Sequence, residues 1–204
     1  MNNFTQRTIS AVVYSGSVIL LTIFSEGYYA LLFDVVLGVV MLGAVHEFHG
    51  LMLSSRFNTI LSMLTACLLY ESVVLFTLRN EIAYSGLEGS EIAIFVLLGL
   101  SGMMSLVGWI AQLWLKQEKP VLEWGNNLVS LVMIALPFML MPVILKLNKW
   151  LLLALFAIIW LNDAGAYIIG SLTAKFPKGN HKMFPRVSPA KSWEGLIGGI
   201  LLAM

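Results

Sequence analysis

One cysteine, Cys67, occurs in the 204 residues, and it lies inside an apolar run. An internal disulfide and a cysteine metal cluster are thereby excluded, and Cys67 reads as a buried small hydrophobe. Charge is scarce too: 11% of residues are Asp, Glu, Lys or Arg, against about 25% in an ordinary soluble domain. A net charge of +1 gives no bulk attraction for nucleic acid, so the position of the charges matters more than their sum. No G-x-x-x-x-G-K loop and no G-x-G-x-x-G turn occurs, so any nucleotide is held in another framework. What is abundant is apolar: 59% of residues are hydrophobic and the mean hydropathy is +0.88. The chain reads as an all-α, polytopic transmembrane helical bundle.

A hydrocarbon core about 30 Å thick needs roughly 20 apolar residues per helix. On that ruler, spans fall at about Ile9 to Phe24, Tyr28 to Phe48, Phe57 to Leu78, Glu91 to Leu115, Asn127 to Leu145 and Trp150 to Thr173. These are six complete spans. A seventh begins near Ser192 and has only thirteen residues through Met204, too few to cross, so the chain is expected to end inside a helix. Arg7 precedes the first apolar run as in a secretory leader, but no small-x-small cleavage site follows, so this run is read as a retained first helix.

Orientation follows from Lys and Arg in alternate loops. With the N-terminus inside, Arg7, Arg56, Lys116, Lys119, Lys175, Lys178, Lys182, Arg186 and Lys191 are cytoplasmic, nine of the twelve, while Arg79, Lys146 and Lys149 are external. No repeat or linker divides the chain, which is expected to form a single integral-membrane domain, 1–204, with a cytoplasmic basic loop at 174–191. The connection from Arg79 to Ser90 is acidic and external. Trp109, Trp114, Trp124, Trp150, Trp160 and Trp193 fall near span ends, where amphipathic rings anchor.

Chemistry-bearing residues gather near the C-terminus. "NDAGAYIIGS", Asn162 to Ser171, closes an apolar run with an amide, a carboxylate and small residues. An Asp at the middle of a spanning helix costs roughly 2.5 to 3.5 kcal/mol, which makes Asp163 a functional candidate. Helical spacing puts Asp163, Tyr167 and Gly170 on one face, with Gly165 and Ala166 removing bulk beside it. Small residues let another helix, a ligand or an ion approach the backbone. Between Asp163 and Glu194 there is no acidic residue, while Lys175, Lys178, Lys182, Arg186 and Lys191 supply five fixed positive charges and His181 a sixth only when protonated. Such a segment marks the cytoplasmic side and also suits lipid or nucleotide phosphates. In "SPAKSWEG", Ser188 is expected to cap a helix with Pro189 at its first position. The free amides and dipole of that helix, beside Lys191, suit a phosphate. Glu194 then either favours the dipole or takes a direct part in binding metal or substrate.

"NDAGAYIIGS", the basic loop and "SPAKSWEGLIGG" resemble the phosphatidate cytidylyltransferase family, the CDP-diacylglycerol synthases. Members carry a D-x-G-A-Y-x-x-G segment followed by S-P-K-K-T-W-E-G-x-x-G-G. This chain departs from the second at Ala190 and Ser192. "RTISAVVY" and "HEFHGL" are weaker matches. The strong motifs cover about 40 residues.

The resemblance implies a magnesium-dependent transfer of CMP from CTP to phosphatidic acid, in the cell (inner) membrane, giving CDP-diacylglycerol and pyrophosphate. It places the family's Lys-Asp and Asp-Arg-x-Asp metal carboxylates beyond residue 204, so the metal ligands are not assigned and this chain by itself is expected to be inactive. Asp163, Lys191 and Glu194 become the catalytic candidates, with Asn162, Tyr167, Gly170, His181, Arg186, Ser188 and Ser192 against substrate. In this scheme Lys191 holds phosphate, His181 and Arg186 assist, and Tyr167 lines the cavity. A homodimer through small-residue faces is compatible, and no nucleic acid is expected.

Two other functions fit parts of the pattern. A CTP-dependent polyprenol or lipid kinase shares the nucleotide and membrane site but releases CDP. An ion-coupled transporter would use Asp34, Glu71 and Asp163 as a relay, and it leaves "SPAKSWEG" unexplained. "HEFHG", His46 to Gly50, is not the zinc motif H-E-x-x-H, because its second His comes one residue early.

Overall fold

The computed structural model describes residues 3–25, 28–84, 90–115, 119–176 and 179–204. Lys116, Lys178 and residues 85–89 of the acidic connection lie outside that set, as does the side chain of Arg7. Helix dominates because lipid offers no partner to backbone N–H and C=O groups, which must bond within their own segment. In chain order the elements are α1 (Asn3–Ile23), α2 (Tyr28–Leu51), α3 (Arg56–Tyr84), α4 (Ser90–Trp114), α5 (Pro120–Ser130), a π-helical segment (Leu131–Ala135), α6 (Leu136–Leu147), α7 (Lys149–Thr173), β1 (Lys182–Phe184), β2 (Ser188–Ser192) and α8 (Trp193–Ala203). Five apolar stretches among the described residues are long enough to cross a bilayer: Ala30–Leu51, Arg56–Arg79, Glu91–Trp114, Pro120–Leu147 and Lys149–Thr173. Ala11–Ile23 and Trp193–Ala203 are shorter apolar helices. The chain is therefore a polytopic helical membrane protein.

It divides into two compact units, Met1–Lys149 and Trp150–Met204. In the first, α3 is the spine: it packs along α4 and also touches α2, α5 and α6. The core joins Met41 and Val45 of α2, Ala66, Tyr70 and Val74 of α3, Ala135 of the π segment and Met139 of α6. Tyr70 satisfies its phenol by donating to the Asp34 carbonyl oxygen at 2.7 Å. Val12, Val39, Phe95 and Val107 stay exposed, as a lipid-facing exterior requires.

The fifth span begins at Pro120 rather than Asn127. Proline suits the first helical position because its missing N–H would be unpaired there anyway. The polar residues at 120–127, which conceal this start in a hydropathy reading, are consumed in a buried amide network. Asn58 accepts from Asn127 Nδ2 at 2.6 Å and Gln112 Nε2 at 3.1 Å, and donates to the Glu123 carbonyl oxygen at 3.0 Å. Ser62 donates to Asn127 Oδ1, Asn126 donates to Ser54 Oγ at 3.0 Å, and the Glu123 carboxylate accepts the Ser55 amide at 2.8 Å. In lipid such bonds tie helices together where apolar contacts alone give little preference. Further along the same span, Pro137 cannot donate to the turn before it, and the π segment accommodates the displaced register.

Candidate functional site

The second unit holds both C-terminal motifs. α7 is apolar from Trp150 to Leu161, then becomes polar and small from Asn162 onward, and α8 packs against that small-residue end. A Cβ placed on Gly165 would lie 2.8 Å from the Gly198 carbonyl oxygen, and one on Gly199 would lie 2.6 Å from the Asn162 carbonyl oxygen. On Gly195 it would lie 2.9 Å from the Ala166 carbonyl oxygen. "NDAGAY" and "WEGLIGG" are thus two sides of one glycine-lined seam, closer than any side chain permits. Gly170 belongs to the seam, facing Ser192 Oγ and Gly195. Asp163 and Tyr167 stay exposed beside it.

Between the helices the basic segment forms a hairpin rather than a loop. The left-handed turn at Gly179, with φ of +65°, leads into β1. β1 and β2 pair antiparallel, with Lys182 opposite Ser192, Phe184 opposite Ser188 and an irregularity between. Ser188 is therefore a strand residue, not a helix cap. Pro189 fits because a two-stranded ribbon has outer edges that need no donor. The helix starts at Trp193, and its cap is Ser192, extended at φ −131° and ψ 157°, whose hydroxyl accepts the Gly195 amide at 3.2 Å. The Trp193 amide is also taken, by the His181 carbonyl oxygen at 3.0 Å. The open helix N-terminus expected to receive phosphate is thus partly closed by the chain itself. Anion binding here rests on side chains: Lys175, Lys182, Arg186 and Lys191 are all exposed.

Glu194, in the first turn of α8, is bound to the start of the hairpin. Both carboxylate oxygens accept the His181 amide at 3.0 Å, and Oε1 meets His181 Nδ1 at 2.6 Å. Those bonds, the side-chain one first and the backbone one second, hold the carboxyl down at about 2. Asn180 Nδ2 donates to the Gly170 carbonyl oxygen at 3.0 Å, tying the same stretch to α7. Sequence reading named His181 and Glu194 separately and missed that they pair. The short runs either side of Pro185-Arg186-Val187 are the signal that a turn returns one to the other.

No three His, Cys, Asp or Glu side chains converge among the described residues. With both Glu194 oxygens engaged by His181, the residues present do not by themselves make a magnesium site. In the first unit, His46 and Glu47 of "HEFHG" are exposed, while His49 is fully buried with Nε2 3.3 Å from Ser130 Oγ. Asp34 is buried and lines a cavity, whereas Glu71 is exposed.

Residues 5–204 match the cytidylyltransferase family. The phosphatidate cytidylyltransferase of Rickettsia bellii is 33% identical over 125 residues, covering 51% of this chain and 52% of that protein. That of Pseudomonas aeruginosa is 35% identical over 120 residues, 53% of this chain and 42% of that protein. That of Haemophilus influenzae is 46% identical over 55 residues, 27% of this chain and 17% of that protein. The matched part thus spans about half the length, or less, of these relatives. No solved structure matches. By its match over nearly the whole sequence, the chain belongs to the cytidylyltransferase family, a class of nucleotidyltransferases.

Proposed function

We propose that the protein transfers CMP from CTP to phosphatidic acid. The observation that carries this reading is the junction of the two motifs: exposed Asp163 and Tyr167 on α7, and a cationic hairpin joined to them through the Gly170–Ser192–Gly195 contact. A phosphatidate oxygen attacks the α-phosphorus of CTP, forming a new P–O bond. The α–β bridging P–O bond breaks, and pyrophosphate leaves with its electron pair. Phosphatidate is already anionic at neutral pH, so no general base is required. The demand is for cations that position and neutralise crowded phosphates. Lys191 holds phosphate, with Arg186 and the outer ring nitrogen of His181 assisting. Tyr167 lines the nucleotide or lipid space, and Ser188 and Asn162 stand at its border. Ser192 and Glu194 act by holding the hairpin on the helix.

Magnesium is part of the proposal as a requirement of the reaction, and Asp163 is the carboxylate of this unit with no partner among the described residues. The same reading puts the protein in the cell membrane with the N-terminus inside. A homodimer would use faces other than the glycine seam, which is filled within the unit. The test follows labelled CTP into products with the full gene product, phosphatidate and magnesium. Cytidine in the lipid fraction with pyrophosphate in solution is expected. CDP with an unlabelled lipid would indicate a kinase, and ion flux without any nucleotide requirement would indicate a transporter.

A further inference from the structure

In the first unit a cavity of about 350 Å³ opens where Ser25, the first half of α2, the end of α3 and the end of α6 meet. Asp34, Thr77, Lys146 and Lys149 line its polar side, and Leu78 and Leu145 part of its apolar side. Asp34 is only 4% exposed, and its Oδ1 has no hydrogen-bond partner among the described residues. Lys149 Nζ donates to the Ile23 carbonyl oxygen at 3.4 Å, which fixes that ammonium beside the end of α1.

The position and the charges both restrict the occupant. Ser25 follows α1, and Lys146 to Lys149 join α6 to α7, so the cavity lies at span ends, where headgroups meet protein. A carboxylate removed from water is costly unless a cation meets it. A purely anionic ligand would set like charge against Asp34, and a purely cationic one would face two lysines. A zwitterion meets both. The volume is at the low end of the roughly 300–1,000 Å³ usual for small-molecule sites, which suits a headgroup whose acyl chains remain in the bilayer. The exposed side chains of Leu31 and Val35 on α2 supply an aliphatic surface for those chains. We propose that this cavity binds a phospholipid headgroup carrying both a phosphodiester and a primary ammonium, the ammonium on Asp34 and the phosphate on Lys146 and Lys149. The proposal involves no nucleotide and stands apart from the transferase reading.

The test is native mass spectrometry of the delipidated protein in detergent, titrated with phosphatidylethanolamine or phosphatidylglycerol of identical acyl chains. A saturable single-lipid adduct with about a tenfold preference for phosphatidylethanolamine is expected. Asp34→Asn should abolish the preference while leaving weak binding of both lipids. Leu145→Trp, which fills the cavity without removing a charge, should remove the adduct while the helical circular dichroism is unchanged. Equal binding of the two lipids by the unaltered protein, or an adduct that persists in Leu145→Trp, would overturn the proposal even if Asp34→Asn failed to fold.

Discussion

Glu194 and His181 are joined twice, by the His181 amide at 3.0 Å from both carboxylate oxygens and by Nδ1 at 2.6 Å from Oε1. The pair fastens the first turn of α8 to the start of the hairpin, so the orientation of the cationic residues depends on it. A carboxyl held down in the folded state stabilises that state above its unfolded value. For Glu194 the contribution is present above 4.5 and is lost as pH falls toward about 2. NMR titration should show the Glu194 side chain ionised well below pH 4.5, with the His181 amide shifting in the same step. In Glu194→Gln both features should vanish. A Glu194 titration near 4.5 would contradict the pairing.

The cap of α8 separates two neighbouring serines. Ser192→Ala removes the acceptor for the Gly195 amide and should lower stability by about 1 kcal/mol, within a range of roughly 0.5–2. Ser188→Ala, in the strand, should cost far less. Thermal unfolding in detergent distinguishes them, and equal effects would return the cap to Ser188.

Glycines should divide by what lies beside them. In Gly199→Ala the new methyl meets the Asn162 carbonyl oxygen at 2.6 Å, and backbone does not yield cheaply. Overpacking of this kind costs about 1–3 kcal/mol. Gly43, on α2, has nothing within 4 Å of its Cβ position. Gly43→Ala should instead stabilise by about 0.5–1 kcal/mol, because alanine loses less conformational freedom in a helix. Opposite signs in the melting temperature are the expected result.

The buried amides of the first unit should prove structural. Asn58→Leu strands the donors of Gln112 and Asn127, at about 1–3 kcal/mol for buried groups left unpaired. The double variant with Gln112→Leu should cost less than the sum of the single changes, since one orphaned donor disappears with its partner. Additive losses would mean that the two side chains do not interact.

The spanning helices were legible because a bilayer demands long apolar runs, and Tyr28, Glu91 and Thr173 mark observed helix ends closely. The start at Pro120 was not, because Glu123, Asn126 and Asn127 look solvent-exposed until their partners at Ser55, Asn58 and Ser62 are known. Local chemistry also misled at Ser188-Pro189, a pair that reads as cap and first helical residue. Pairing of Ser188 with Phe184, and of Ser192 with Lys182, decides for strand, and neither Ser188 nor Pro189 announces that hairpin by itself. Gly165 and Gly170 announced a close approach, but only the fold supplies Gly198, Gly199 and Ser192 as what approaches.

The central claim is that the end of α7 and the hairpin leading to α8 form one phosphate-handling site. The most direct measurement is pyrophosphate release from CTP in mixed micelles by the full gene product, comparing the unaltered protein with Asp163→Ala and Lys191→Ala. The account predicts release that requires phosphatidate and magnesium together and falls about a hundredfold or more in each variant, as removal of a group stabilising transition-state charge does elsewhere. Full activity in both variants, with folding intact, would contradict it.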